Sequence, residues 1–173
     1  HLDISYKIKE GLRNKELYTH SPIILSFPEA EERQSILVTV TPIDSARVRL
    51  SDLKMSVGDG EVTSNEVLEV NLHDTIQTPV GAMVVTLYYS DNFYEKPISV
   101  TKSNMERVVD AYQSSLEVSL ASKTATIINL TLKDVSIARA EDVINMAIAI
   151  YNEDAINDKN QIAVNTSNFI NER

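Results

Sequence analysis

Histidine, the commonest metal ligand and proton shuttle, occurs three times, as His1, His20 and His73. Only His73 has a carboxylate beside it, Asp74, and adjacent residues on a strand point to opposite faces. That pair cannot close on one ion, and no other histidine has a partner at metal-ligand spacing. Gly58-Asp59-Gly60-Glu61 has the flavour of a calcium or phosphate loop, but the alternating oxygen ligands and closing Glu of an EF-hand are missing. A tight turn between strands is the expected role. Ser51-Asp52-Leu53-Lys54 matches the S-x-x-K of serine acyl-transfer enzymes, and Lys123-Thr124-Ala125 imitates their K-T-G. That chemistry needs the Ser at a buried helix start, whereas these residues fall in a strand-and-turn region and S-D-N is absent. No G-x-S-x-G, H-E-x-x-H or phosphate-cradling glycine loop occurs, and only four glycines are present. The expectation is therefore no catalytic residue, no cofactor-binding residue and no metal ligand.

Composition points the same way. The chain has 173 residues and a formal net charge of −9 from 16 basic and 25 acidic side chains. A general nucleic-acid binder needs a basic stripe to displace counterions, so nucleic acid is not an expected partner. The absence of Cys removes thiol nucleophiles, disulfide scaffolds and Cys-ligated zinc. An apolar fraction of 43% is enough for a real core. No apolar run approaches the roughly 20 residues that span a bilayer, and no signal peptide is visible. The start at His1 and the charged end at Arg173 read as a piece excised from a longer protein.

The elements that position these residues change character along the chain. Period-two alternation marks strands over 3–9, 16–27 with a bend at Ser21-Pro22, 36–41, 47–50, 67–72 and 82–89. Pro28, Pro42, Gly58, Gly60, Pro79, Gly81 and Pro97 punctuate them. From Lys102 the pattern turns helical: Ser103 is a candidate cap, followed by Arg107, Val108, Ala111 and Tyr112 at helical spacing. Leu116, Val118 and Leu120, then Ile128, Leu130 and Leu132, read as a strand hairpin.

The clearest element is last. Ser136 is the expected N-cap of a helix over about 137–171, free of Pro and Gly. Its stripe runs Ile137, Ala140, Ile144, Ala147, Ile148, Tyr151, Ala155, Ile162, Thr166, Phe169 and Ile170, with a polar gap at 157–161. A helix of that length is about 50 Å long and outreaches a small domain. The expectation is that 137–151 packs on the sheet and that the distal half needs a partner, such as another chain. Candidate oligomer contacts are Asn152, Asp158, Lys159, Ile162, Thr166 and Phe169. Tyr88, Tyr89 and Tyr94, with Phe93 between them, form a candidate aromatic platform for sugar. The fold class expected is α+β: a mixed or antiparallel sheet with a β-rich insertion at 28–97, a body made of 1–27 and 98–173, one short helix and one long C-terminal helix.

One family resembles this chain in its sequence. The carriers are Lys123-Thr124-Ala125-Thr126-Ile127-Ile128, Ala140-Glu141-Asp142-Val143-Ile144-Asn145, the run from Tyr151 to Asn160, and Thr166-Ser167-Asn168-Phe169-Ile170-Asn171-Glu172-Arg173. Leu17-Tyr18 with Ser21-Pro22-Ile23, and Thr78-Pro79-Val80-Gly81, are also similar. The family is the Wzz-type chain-length determinants, or polysaccharide co-polymerases, in the form fused to a bacterial tyrosine autokinase. The resemblance implies the periplasmic domain of an inner-membrane protein, set between two missing membrane spans. It implies homo-oligomerisation and control of the chain length and export of capsular or exopolysaccharide. Polysaccharide, its polymerase and an outer-membrane exporter are the further partners implied. ATP and Mg belong to the missing cytoplasmic kinase, and the dispersed tyrosines here carry no phosphosite. The other readings open at this point are a carbohydrate-binding module and a periplasmic adaptor of a secretion system.

Overall fold

The computed structural model describes residues 2–87, 94–122 and 127–171. The chain is α+β, with antiparallel sheets, one short helix and one long C-terminal helix. It divides into two units, His1–Ser115 and Leu116–Arg173.

The first unit carries two sheets. In the larger, β1 (Ile4–Glu10) lies between β2 (Arg13–Glu16) and β10 (Ile98–Lys102). The order continues through β4 (Ser35–Pro42) to β5 (Arg47–Val57). Two short strands share the outer edge of β5: β7 (Leu68–Asn71) pairs with its first half and β6 (Gly60–Ser64) with its second. The smaller sheet runs β3 (Ile23–Ser26), β9 (Gly81–Leu87), β8 (Thr75–Thr78). Of the strands from 28–97, β4 to β7 thus lie in one sheet with β1 and β10, while β8 and β9 join β3.

Alternation explains the core. β4 buries Ile36, Val38 and Val40, β10 buries Ile98 and Val100, and β3 and β9 supply Ile23, Leu25, Met83 and Val85 to the same cluster. β5 would break this pattern, because its buried residues Val48 and Leu50 are followed by Leu53. A bulge resolves it. Between the pairs Thr39↔Ser51 and Leu37↔Lys54, β5 carries one extra residue. Asp52 there adopts φ +53°, which resets the alternation and turns Leu53 inward. Gly58 and Asp59 make the two-residue turn into β6, with Gly58 at φ +57°.

The inward face of β10 ends on a cation. Ile98, Val100 and Lys102 alternate inward, and Lys102 is only 7% exposed. Its Nζ donates to the carbonyls of Glu31 at 3.0 Å and Gln34 at 3.2 Å. The same 31–35 segment receives the Met105 N–H at Glu32 O and the Asn104 side-chain amide at Arg33 O. The Asn104 N–H donates to Ser35 Oγ. Asn104 also caps α1 (Met105–Ser115), its Oδ1 accepting the Arg107 N–H at 3.2 Å. The expected cap, Ser103, instead donates its own N–H to Asp3 O.

The second unit comprises the hairpin β11 (Glu117–Leu120) and β12 (Ile128–Thr131) and the 35-residue helix α2 (Ile137–Asn171). Ser136 Oγ accepts the Arg139 N–H at 3.3 Å, as expected of the N-cap. Asp134 adds a second layer: it accepts the Ser136 N–H and grips the Arg139 guanidinium at 2.7 Å. Both side chains of that ion pair are nearly buried.

Lys102→Met should lower the unfolding free energy by about 1–3 kcal/mol, since it leaves two part-buried carbonyls without their donor. Arg33→Ala, which removes an exposed ion pair to Glu106, should stay within about 0.5 kcal/mol. Urea titration separates the two, and equal effects would remove the assigned role of Lys102.

Candidate functional site

Two surfaces are candidate sites, of which the sequence singled out only the first. The first is α2. No described apolar residue of 116–170 is buried. Along the helix Ile148, Tyr151, Ile162 and Phe169 fall on one stripe, and all are exposed, Tyr151 at 69% and Ile162 at 67%. Asn152, Asp158, Lys159 and Thr166 are exposed beside them, Thr166 returning its hydroxyl to Ile162 O. The expected packing of 137–151 on a sheet is corrected in part. Ala140, Val143, Ile144 and Ala147 are half-covered, but Ile137 and Tyr151 at the ends of that stretch are exposed. Helical spacing reveals which residues share a face, not whether the chain covers that face.

The second surface lies within the first unit, where β3 forms an edge of its sheet. Its outward N–H groups are already satisfied. Ser21 Oγ accepts the Ile23 N–H and donates to Ile23 O at 2.7 Å. The Leu25 N–H donates to the Tyr6 phenol at 3.0 Å, tying the smaller sheet to β1 of the larger. Alongside runs a half-open groove of about 1020 Å³. Asp3, Tyr18, Thr19, Ile24, Ser26 and Phe27 are among the residues that line it. Tyr18 sits at φ +46°, a conformation that a bulky residue adopts only when held there. Glu16 does the holding: its carboxylate accepts the Ser5 hydroxyl and the N–H groups of Tyr6 and Tyr18.

Burial raises the Tyr6 phenol above its ordinary 10.0; the Leu25 N–H opposes this by favouring the phenolate, and nearby Asp3 reinforces it.

Of the expected aromatic platform, Tyr94 is half-buried, while Tyr88, Tyr89 and Phe93 lie outside the described residues. So do His1 and Lys123-Thr124-Ala125. His73 occupies the turn between β7 and β8 at φ +67°, not a strand, and its N–H donates to Val85 O. Ser51 and Lys54 lie on β5, where the Ser51 hydroxyl bonds only its neighbour Asp52. Among the described residues no cluster of three His, Asp or Glu is disposed to hold a metal ion, and no helix is long and apolar enough to cross a membrane. The groove residues Asp3, Tyr18 and Phe27 escaped sequence reasoning because β1 and β3 meet only through tertiary structure. The positive φ of Tyr18 leaves no trace in its residue type. Compared with known proteins, the chain matches no family model and no curated sequence.

Because the folded state holds the neutral phenol, Tyr6 supports stability fully below pH 10 and loses that contribution as pH rises through its raised value. Tyr6→Phe should therefore cost about 1–3 kcal/mol at neutral pH, through the orphaned Leu25 N–H, and flatten the alkaline fall. Denaturant titrations across pH 8–11 give both; an unchanged alkaline fall would dismiss the assignment.

Proposed function

We propose that this chain is a non-enzymatic oligomerisation and scaffold domain. On this reading it is the extracytoplasmic part of a membrane-anchored tyrosine autokinase of the Wzz type, which controls the chain length and export of capsular or exopolysaccharide. The observation that carries the reading is the unburied second unit. Among the described residues a 35-residue helix and a two-stranded hairpin between them bury no apolar residue, although the first unit packs a two-sheet core. A lone hairpin and a lone helix are marginal in water, and an exposed stripe of Ile and aromatic residues finds its cover in neighbouring protomers. The sequence resemblance is what supports this choice of parent. The kinase chemistry, with ATP and Mg, belongs to a separate cytoplasmic domain on this reading, as do the membrane spans.

The test uses the lack of Cys in this chain. Ile162→Cys and Phe169→Cys introduced singly into the full-length parent in membranes should yield oxidative crosslinks between protomers. Lys54→Cys, on β5 of the sheet body, is the control that should not. Only monomers from both helix variants would overturn the reading.

The groove favours a second reading, a carbohydrate-binding module. Two aromatic residues, an aspartate, a serine and a threonine are among the residues that line one concavity, side-chain types that can grip a sugar's apolar face and its hydroxyls. Here the contacts would be Asp3, Tyr18 and Phe27 rather than Tyr88, Tyr89 and Tyr94. Short oligosaccharides cut from the producing cell's own polysaccharide should shift the Tyr18 and Phe27 ring resonances, and Asp3→Asn should weaken binding about tenfold. A titration that moves neither ring removes this reading.

A further inference from the structure

The hairpin of β1 and β2 ends in a two-residue turn, Gly11-Leu12, closed by the pair Glu10↔Arg13. Gly11 adopts φ +61° and Leu12 does not share that region, the arrangement of a type II′ turn with glycine first. The second position carries no requirement for an apolar residue, yet Leu12 stands there fully exposed. Around it are Lys7, Lys9, Arg13 and Lys15, all exposed, against two carboxylates, Glu10 and Glu16. Glu10 pairs with Lys15, and Glu16 is turned inward onto Ser5, Tyr6 and Tyr18. The side chains of Lys7, Lys9 and Arg13 have no hydrogen bond or ion pair among the described residues.

Elsewhere among the described residues, unpaired cations such as Lys54, Arg107, Lys133 and Lys159 are scattered along the chain rather than gathered at one tip. Arg33, Arg47, Arg49 and Arg139 each face a carboxylate. In a chain of net charge −9, four cations crowd one hairpin and three stay unpaired around an apolar tip. Lys7 and Lys9 project from one face of the ribbon, and the register puts Arg13 and Lys15 on the other, so the tip is ringed rather than one-sided.

We propose that the β1–β2 hairpin docks on an anionic lipid bilayer, with Leu12 entering the interfacial layer and Lys7, Lys9 and Arg13 meeting headgroup phosphates. Charge complementarity calls for a polyanion, and the exposed Leu12 selects among polyanions. A dissolved acidic polymer has no apolar phase to receive a leucine, whereas a bilayer surface offers negative charge and hydrocarbon within one side chain's depth. The inference rests on the hairpin alone and stands apart from the polysaccharide reading.

The test is sedimentation of the whole chain with phosphatidylcholine vesicles, with and without phosphatidylglycerol, at low and high salt. Binding should require phosphatidylglycerol and fall with salt. Lys9→Gln and Arg13→Gln should each weaken it roughly fivefold. Leu12→Asn should weaken it several-fold without altering thermal stability. Since the chain has no Trp, Leu12→Trp places a single reporter at the tip, and its emission should shift to the blue only with phosphatidylglycerol vesicles. Failure to sediment at low salt, or an unshifted Trp, overturns the proposal. So does binding that depends on the cations but not on Leu12, which marks a site for a soluble polyanion such as an acidic glycan.

Discussion

A buried ammonium organises the first unit. Lys102 occupies a core position on the central strand β10 and makes no ion pair among the described residues; backbone carbonyls of Glu31 and Gln34 take its charge. Such a cation is tolerable only when its acceptors are held in place, and everything around it serves that end. Asn104 and Met105 fasten the same loop two and three residues further on, so one hydrogen-bonded knot closes the sheet and starts α1. The strand that carries Lys102 pairs with β1 on one side and β4 on the other, and the knot therefore fixes strands distant in sequence.

Where alternation is unbroken, the fold is legible from sequence: β1, β3, β4 and β9 read directly, and so do the late hairpin and the long helix. The rest hides for identifiable reasons. β2, β6 and β8 are short, lie at sheet edges and bury little, so Arg13-Asn14-Lys15-Glu16 looks like a loop. β5 seems to stop at Leu50 because the bulge at Asp52 breaks the period of two. Lys102 reads as the start of a new region, since no sequence rule places a lysine at the inward end of Ile98-Val100-Lys102. The apolar stripe on α2 is legible in the sequence, but whether the chain itself covers that stripe is a tertiary fact.

The two units solve the problem of water differently. The sheets enclose their own core and bond one another across the gap through Tyr6 and Leu25. The hairpin–helix unit invests in local order instead: a double cap at Ser136 and Asp134, an almost buried ion pair with Arg139, and no interruption over 35 residues. A helix stiff enough to persist while its stripe is bare is suited to presenting that stripe to others.

The plugged edge of β3 bears on how such molecules tolerate company. Strands with free N–H groups act as templates, and proteins held side by side at high local density are the ones most exposed to runaway fibre growth. Here one serine and one tyrosine occupy the donors that an incoming strand would need. Copies of this chain can crowd together without that border seeding a fibril, which leaves any assembly to be directed by surfaces other than this edge.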